Sequence, residues 1–128
     1  MTPKTKNFSV STDPKLRCTC GHPDCLFPVV TQETLDKLQL IREDLGAPMV
    51  INSGARCPLH PNERGRKDTD HQDCTAVDVR CHNKQLETKL KVLAGRHGAT
   101  RVAGGAYCGF IHISWRKTSR RDVPTWTY

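Results

Sequence analysis

Two short apolar runs in this chain each carry a polar residue at the centre. They are Ala76-Val77-Asp78-Val79-Arg80 and Phe110-Ile111-His112-Ile113-Ser114. Both are rich in β-branched residues and read as strands. Side chains alternate across a strand, so Val77 and Val79 share one face while Asp78 takes the other. Ile111 and Ile113 likewise oppose His112, which shares its face with Phe110 and Ser114. A carboxylate buried without a partner is costly. A sheet that packs the Val and Ile faces into a core must therefore provide Asp78 and His112 with partners on the opposite face. Metal coordination is one such provision. Carboxylate and neutral imidazole are both zinc ligands, and His71, just upstream of the first strand, is a third potential ligand. Three protein ligands leave a fourth position for water, the arrangement of catalytic zinc. Taken singly, each residue also has a plainer reading: a surface or hydrogen-bonded histidine, or an aspartate paired with an arginine.

The rest of the chain supplies helices to cover such a sheet. Thr31 to Leu45 has Leu35, Leu38, Ile41 and Leu45 at helical spacing, with Thr31 as N-cap, Glu33 in the first turn, and Gly46 and Pro48 as the stop. Asn83 is placed to cap a second helix over 84–97, with Leu86, Leu90 and Leu93 inward and Gly98 as terminator. Met49-Val-Ile51 and residues 100–104 read as further strands, and 53–70 as one long loop. The mixture lacks regular βαβ alternation, so the expected class is α+β: a small antiparallel sheet packed with two or more helices. At 128 residues, with 36% of them apolar or aromatic, the chain holds one modest core. The expected organisation is a single domain, 1–128, with a loop-rich N-terminal arm (1–30), a core (31–116) and a basic, aromatic tail (117–128). No run approaches the length of a membrane span, so no membrane insertion is expected.

Charge and cysteine usage leave more open. The net charge is +7. That excess suits anionic partners such as nucleic acid, acidic wall polymers or an acidic protein surface. The densest patch, Arg116-Lys117 with Arg120-Arg121, reads as a solvated tail or as an anion-binding site. It lacks a nucleic-acid-binding motif or interleaved aromatics, so nucleic acid is an unlikely partner. Seven cysteines occur, and the N-terminus has no apolar secretory segment. Cys18, Cys20, Cys25 and Cys57 are compatible with disulfides, with free thiols, or with a second, structural zinc held by three thiolates plus His22, His60 or Cys57. Cys74 and Cys81 bracket a strand and could pair only if the chain bends between them.

The stretch Thr69-Asp70-His71-Gln-Asp73-Cys74-Thr-Ala76-Val-Asp78 resembles the S-x-H-x-x-G-x-A-x-D signature of the zinc D-Ala-D-Ala carboxypeptidase family, which shares the Hedgehog-type peptidase fold. Ser53-Gly54-Ala55-Arg56 is similar to that family's S-G-Y-R segment, and Phe110-Ile-His112-Ile to its final F-V-H-V strand. Asn7-Phe8-Ser9, Cys18-x-Cys20-Gly21 and the 31–45 helix resemble the short, often phage-encoded members. Order and spacing agree over roughly residues 7 to 116. The resemblance implies a Hedgehog/DD-peptidase-like fold, Zn2+ held by His71, Asp78 and His112, and Arg56 binding a carboxylate or carbonyl of a peptidoglycan stem peptide. A guanidinium fork suits that task, although a structural salt bridge is its ordinary alternative.

Four departures from the family pattern stand out. Thr69 replaces serine, Cys74 replaces glycine, and Ala55 replaces tyrosine. The usual acid near the last histidine, three residues before it or two after it, is here Gly109 or Ser114. The catalytic acid/base is thus unassigned: Asp73, Asp70 and Ser114 are the candidates, with Glu63 and His82 as further substitutes from loops. The expected function is a zinc peptidase of the D,D-carboxypeptidase or endopeptidase type, phage-encoded, acting from a virion or after release to the wall on lysis, and otherwise cytoplasmic. The alternative is a peptidase-fold virion protein with weakened or lost catalysis that binds other virion proteins.

Overall fold

The computed structural model describes residues 2–63, 65, 66 and 69–117, together with the backbone of 125 and 126. Five strands form one sheet: β1 (Ile51–Ser53), β2 (Ala76–Arg80), β3 (Arg101–Gly105), β4 (Phe110–Ser114) and the short β5 (Thr125–Trp126). Their spatial order is β1-β2-β4-β3-β5. The first four pair antiparallel, and β5 runs parallel to β3. Helices α1 (Gln32–Leu45) and α2 (Lys84–Arg96) complete the expected α+β architecture. The remainder of the basic tail, including Arg120, Arg121 and Tyr128, lies outside the described residues.

Both helices begin where their caps place them. The Thr31 hydroxyl accepts the Thr34 amide at 3.2 Å, and the Asn83 side chain accepts the Leu86 amide at 2.8 Å. Gly46 ends α1 in the left-handed region, at φ 67°. Leu35, Leu38 and Ile41 of α1 meet Leu90, Leu93 and Ala94 of α2 over Val77, Val79, Ile111 and Ile113. Each fully buried aliphatic side chain contributes about 1.5–3 kcal/mol. The strand parity read from sequence is therefore the one observed: helices cover the Val/Ile face, and the opposite face is left for Asp78 and His112. The N-terminal segment is loop-rich, but it is part of this core, to which it gives Phe8, Val10, Leu16 and Val30.

β1 differs from expectation. The strand starts at Ile51 rather than Met49, and Val50 is half exposed. Its pairing with β2 also slips by one residue, with Ile51 opposite Val79 but Ser53 opposite Asp78. An unbroken ladder would set Ser53 against Val77. The bulge turns Ser53 to the polar face, beside Asp78. Arg116 also departs from the solvated-tail reading. It is buried, and its guanidinium lies 3.6 Å from Asp70, whereas the neighbouring Lys117 is exposed.

One buried carboxylate on α2 serves the fold alone. Glu87 accepts the Ala106 amide in the β3–β4 turn at 2.8 Å and meets Lys84 and Lys91, each at 3.2 Å. The Ala106 amide and then the two lysines bring its pKa down to about 2. A depressed carboxyl pKa contributes stability that is present above the unfolded value near 4.5 and lost as pH falls toward 2. Glu87→Gln is expected to lower the unfolding midpoint at neutral pH, with the difference from the parent protein closing between pH 4.5 and pH 2. Urea titrations across that range measure it.

Candidate metal centre and cleft

The β2–β4 register sets Asp78 directly opposite His112. Asp78 Oδ1 and His112 Nδ1 are 3.0 Å apart. His71 arrives from the loop before β2, which is fastened to the segment after β1. The Arg56 amide donates to the His71 carbonyl at 3.1 Å, and His71 Nδ1 donates to the Gly54 carbonyl at 2.7 Å. Cys74, at the motif's glycine position, closes this turn with φ 66°, so the position keeps the left-handed backbone that glycine adopts most readily. The two imidazoles meet edge to face, with centroids 4.9 Å apart. One ligand atom from each of His71, Asp78 and His112 lies within 4.8 Å of the other two, and all three residues are buried.

The donor set is incomplete without a cation. With Nδ1–H committed to Gly54, His71 Nε2 carries a lone pair. Among the described residues that atom is buried without a hydrogen-bond partner, and it sits 3.4 Å from Asp78 Oδ2. Two acceptors facing each other in a buried site are unfavourable. A metal ion would satisfy both, so the residues present fit one. Burial opposes ionisation of Asp78, but the hydrogen bond from His112 overcomes it and holds the carboxyl well below the usual range. Burial also works against a charged His112, while Asp70 and Asp78 together outweigh it and raise the imidazole.

Asp70 backs this centre. Its Oδ2 is 3.4 Å from His112 Nε2, and its carboxylate meets Arg101 at 3.1 Å. Burial alone would raise Asp70, yet the His112 hydrogen bond and the Arg101 charge bring it down to about 2, with Ser114 also donating to it. A carboxylate on the far nitrogen of a ligating imidazole fixes its tautomer and orientation.

A third layer holds Arg56. Its Nε donates to Ser53 Oγ at 2.9 Å, Nη1 to Glu63 at 3.1 Å and Nη2 to Asp78 Oδ2 at 3.4 Å. Glu63 is buried and also accepts from Thr69 and Gln72. Thr69 thus does its work through the hydroxyl it shares with the motif serine.

Part of this site opens onto a cleft of about 740 Å³. Ser53, Arg56, His71 and Asp78 line it, with Lys15, Arg17 and Arg66 at its walls. Among the described lining residues, Asp78 is the sole carboxylate. His60 also lines the cleft, and burial followed by the Arg56 charge lowers its pKa. Of the sequence-derived acid/base candidates, Asp70 is engaged with His112 and Arg101, and Ser114 is fully buried behind it. Asp73 is exposed and bonded to Thr75, away from the cleft. Glu63 is held by Arg56, and His82 is exposed and packs against Gly109. Sequence reasoning raised His60 only as a possible fourth ligand of a structural zinc, not as a cleft residue, because it sits in a proline-rich loop without periodicity. Cys18, Cys20, Cys25 and Cys57 converge elsewhere, and all seven cysteines are free.

The family model for Peptidase M15 matches residues 7–114. The chain belongs to the Peptidase M15 family. The match runs from the N-terminal segment to the end of β4 and so includes the whole centre. Members are metal-dependent peptidases, consistent with the buried His71, Asp78 and His112. A search of curated proteins finds no match.

Within this M15 chain the Arg56–Glu63 pair is a structural commitment as well as a part of the cleft. Glu63→Gln keeps the shape but removes the charge facing the guanidinium. Loss of a charge-assisted bond at a buried site is expected to cost about 1–3 kcal/mol, read as a lowered denaturation midpoint.

Proposed function

We propose that this protein is a zinc-dependent peptidase cleaving peptidoglycan stem or cross-bridge peptides, of the D,D-carboxypeptidase or endopeptidase type. The observation that carries the reading is the orphaned His71 Nε2 facing Asp78 beside His112. His71, Asp78 and His112 would hold the ion. When bound, zinc supplies a water activated near neutral pH and a Lewis acid for the scissile carbonyl.

The remaining work falls to the chain's own residues. Lys15, Arg17, Arg56 and Arg66 give the cleft a cationic lining. That charge selects a peptide bearing carboxylates, as wall stem peptides do. Arg56 is held on three sides and presents a fixed guanidinium next to Asp78, suited to orienting a substrate carboxylate or carbonyl. Asp70 keeps the His112 ring in place. His60 accepts the Asn62 amide on Nδ1 at 3.0 Å, so its neutral ring carries the proton on Nε2. Its lowered pKa favours the neutral ring, whose Nε2–H can hydrogen-bond to a developing oxyanion.

A second reading is favoured by one specific observation. The two carboxylates nearest the centre after Asp78 are both held in ion pairs, Asp70 by Arg101 and Glu63 by Arg56. A chain whose nearby carboxylates are all committed could bind metal and wall peptide without turnover.

Metal content and muropeptide digestion separate the two. The peptidase reading expects zinc at this site, cleavage of a stem or cross-bridge peptide, and loss of both in His112→Ala. Metal at the site with no cleavage of either peptide class supports the binding module. Unchanged metal content in His112→Ala refutes the ligand assignment. Asp70→Asn is expected to weaken zinc binding about 10–100-fold, the usual effect of removing the partner of a ligating histidine. Competition with a chelator measures that shift.

A further inference from the structure

A second cluster of soft ligands lies apart from the His/Asp centre. Cys18, Cys20 and Cys25 belong to the segment before α1, and Cys57 directly follows Arg56. One sulfur from each lies within 4.8 Å of all the others. Cys20 and Cys57 are 3.5 Å apart. A disulfide requires about 2.05 Å. Around one zinc, with Zn–S near 2.3 Å, a tetrahedron of sulfurs has edges of about 3.8 Å. The cluster has the form of one four-fold centre, whereas disulfides would divide it into two pairs.

Backbone amides point at the sulfurs. The Phe27 amide donates to Cys25 Sγ at 3.3 Å, and the Cys57 amide to Cys18 Sγ at 3.4 Å. Gly21 and Phe27 take the left-handed backbone that winds the chain about the sulfurs, with φ of 77° and 54°. Apolar burial does not account for the segment's shape. Leu26 and Phe27 are 89% and 73% exposed, whereas Cys18, Cys25 and Cys57 are buried. The small core they form contains cysteine alone. A segment that turns its hydrophobic side chains outward and its thiols inward is held by sulfur chemistry.

We propose that Cys18, Cys20, Cys25 and Cys57 bind a structural zinc ion as four thiolates. Four thiolates and no open position are the hallmark of a structural site. The ion ties the 18–25 segment to the loop that carries Arg56. Arg17 and Thr19 on one side and Ala55 and Arg56 on the other line the cleft. The second ion therefore fixes one wall of the cleft against its floor. This proposal stands whether or not the chain cleaves peptides.

The test uses the full chain purified under reducing conditions and loaded with zinc or cobalt. Two metal equivalents are expected, falling to one in Cys20→Ser and to one in His112→Ala. The cobalt-loaded parent protein should show an intense thiolate-to-metal charge-transfer band in the near ultraviolet. That band should persist in His112→Ala and disappear in Cys20→Ser. Because the parent spectrum needs no variant to fold, it is decisive by itself. Absence of the band overturns the proposal. So does mass spectrometry showing these four cysteines paired as disulfides, or iron in place of zinc in the protein as purified.

Discussion

The antiparallel register of β2 and β4 is the constraint on which the rest of this structure depends. It sets Asp78 against His112 on one face while Val77, Val79, Ile111 and Ile113 fall on the other. A shift of one residue would reverse both assignments at once. The apolar face therefore specifies the polar one. Burying four β-branched side chains beneath two helices obliges a carboxylate and an imidazole to meet where water is scarce.

Everything near that pair can be read as a response to it. His71 is locked by the Gly54 carbonyl so that a lone pair faces Asp78. Asp70 takes the far side of His112 and is itself neutralised by Arg101. Glu63 and Ser53 hold Arg56 against Asp78. The β1 bulge exists on the side of the sheet where Ser53 is needed, opposite Asp78. The layers alternate in charge outward from the centre, which keeps buried ionic groups paired in a small domain.

Much of this was legible in the sequence, because periodicity reports on packing. The helix caps Thr31 and Asn83, the inward leucines, and the strand faces of Asp78 and His112 all follow from local rules. The convergence of His71 with Asp78 and His112 was legible only through the resemblance that the Peptidase M15 match supports. What escaped lies in non-periodic backbone. Nothing in 53–70 announces that Glu63 is buried, or that His60 lines the cleft. The bulge that turns Ser53 inward has no signal in Ile51-Asn52-Ser53. Arg116 looked like the start of a solvated tail because its partner, Asp70, is distant in sequence. The absence of the family's usual acid at Gly109 and Ser114 was visible from the start. Asp70 reaches His112 from a loop, on the ring nitrogen away from Asp78, and is hydrogen-bonded by Ser114 itself.

The central claim is that His71, Asp78 and His112 hold a metal ion because their geometry is unfavourable without one. Anomalous diffraction at the zinc edge from crystals of the metal-loaded protein tests it most directly. The account predicts a peak bonded to His71 Nε2, His112 Nδ1 and the Asp78 carboxylate, with His112 Nε2 still on Asp70. A map with no peak there, in which His71 Nε2 instead finds a protein hydrogen-bond partner, would contradict it.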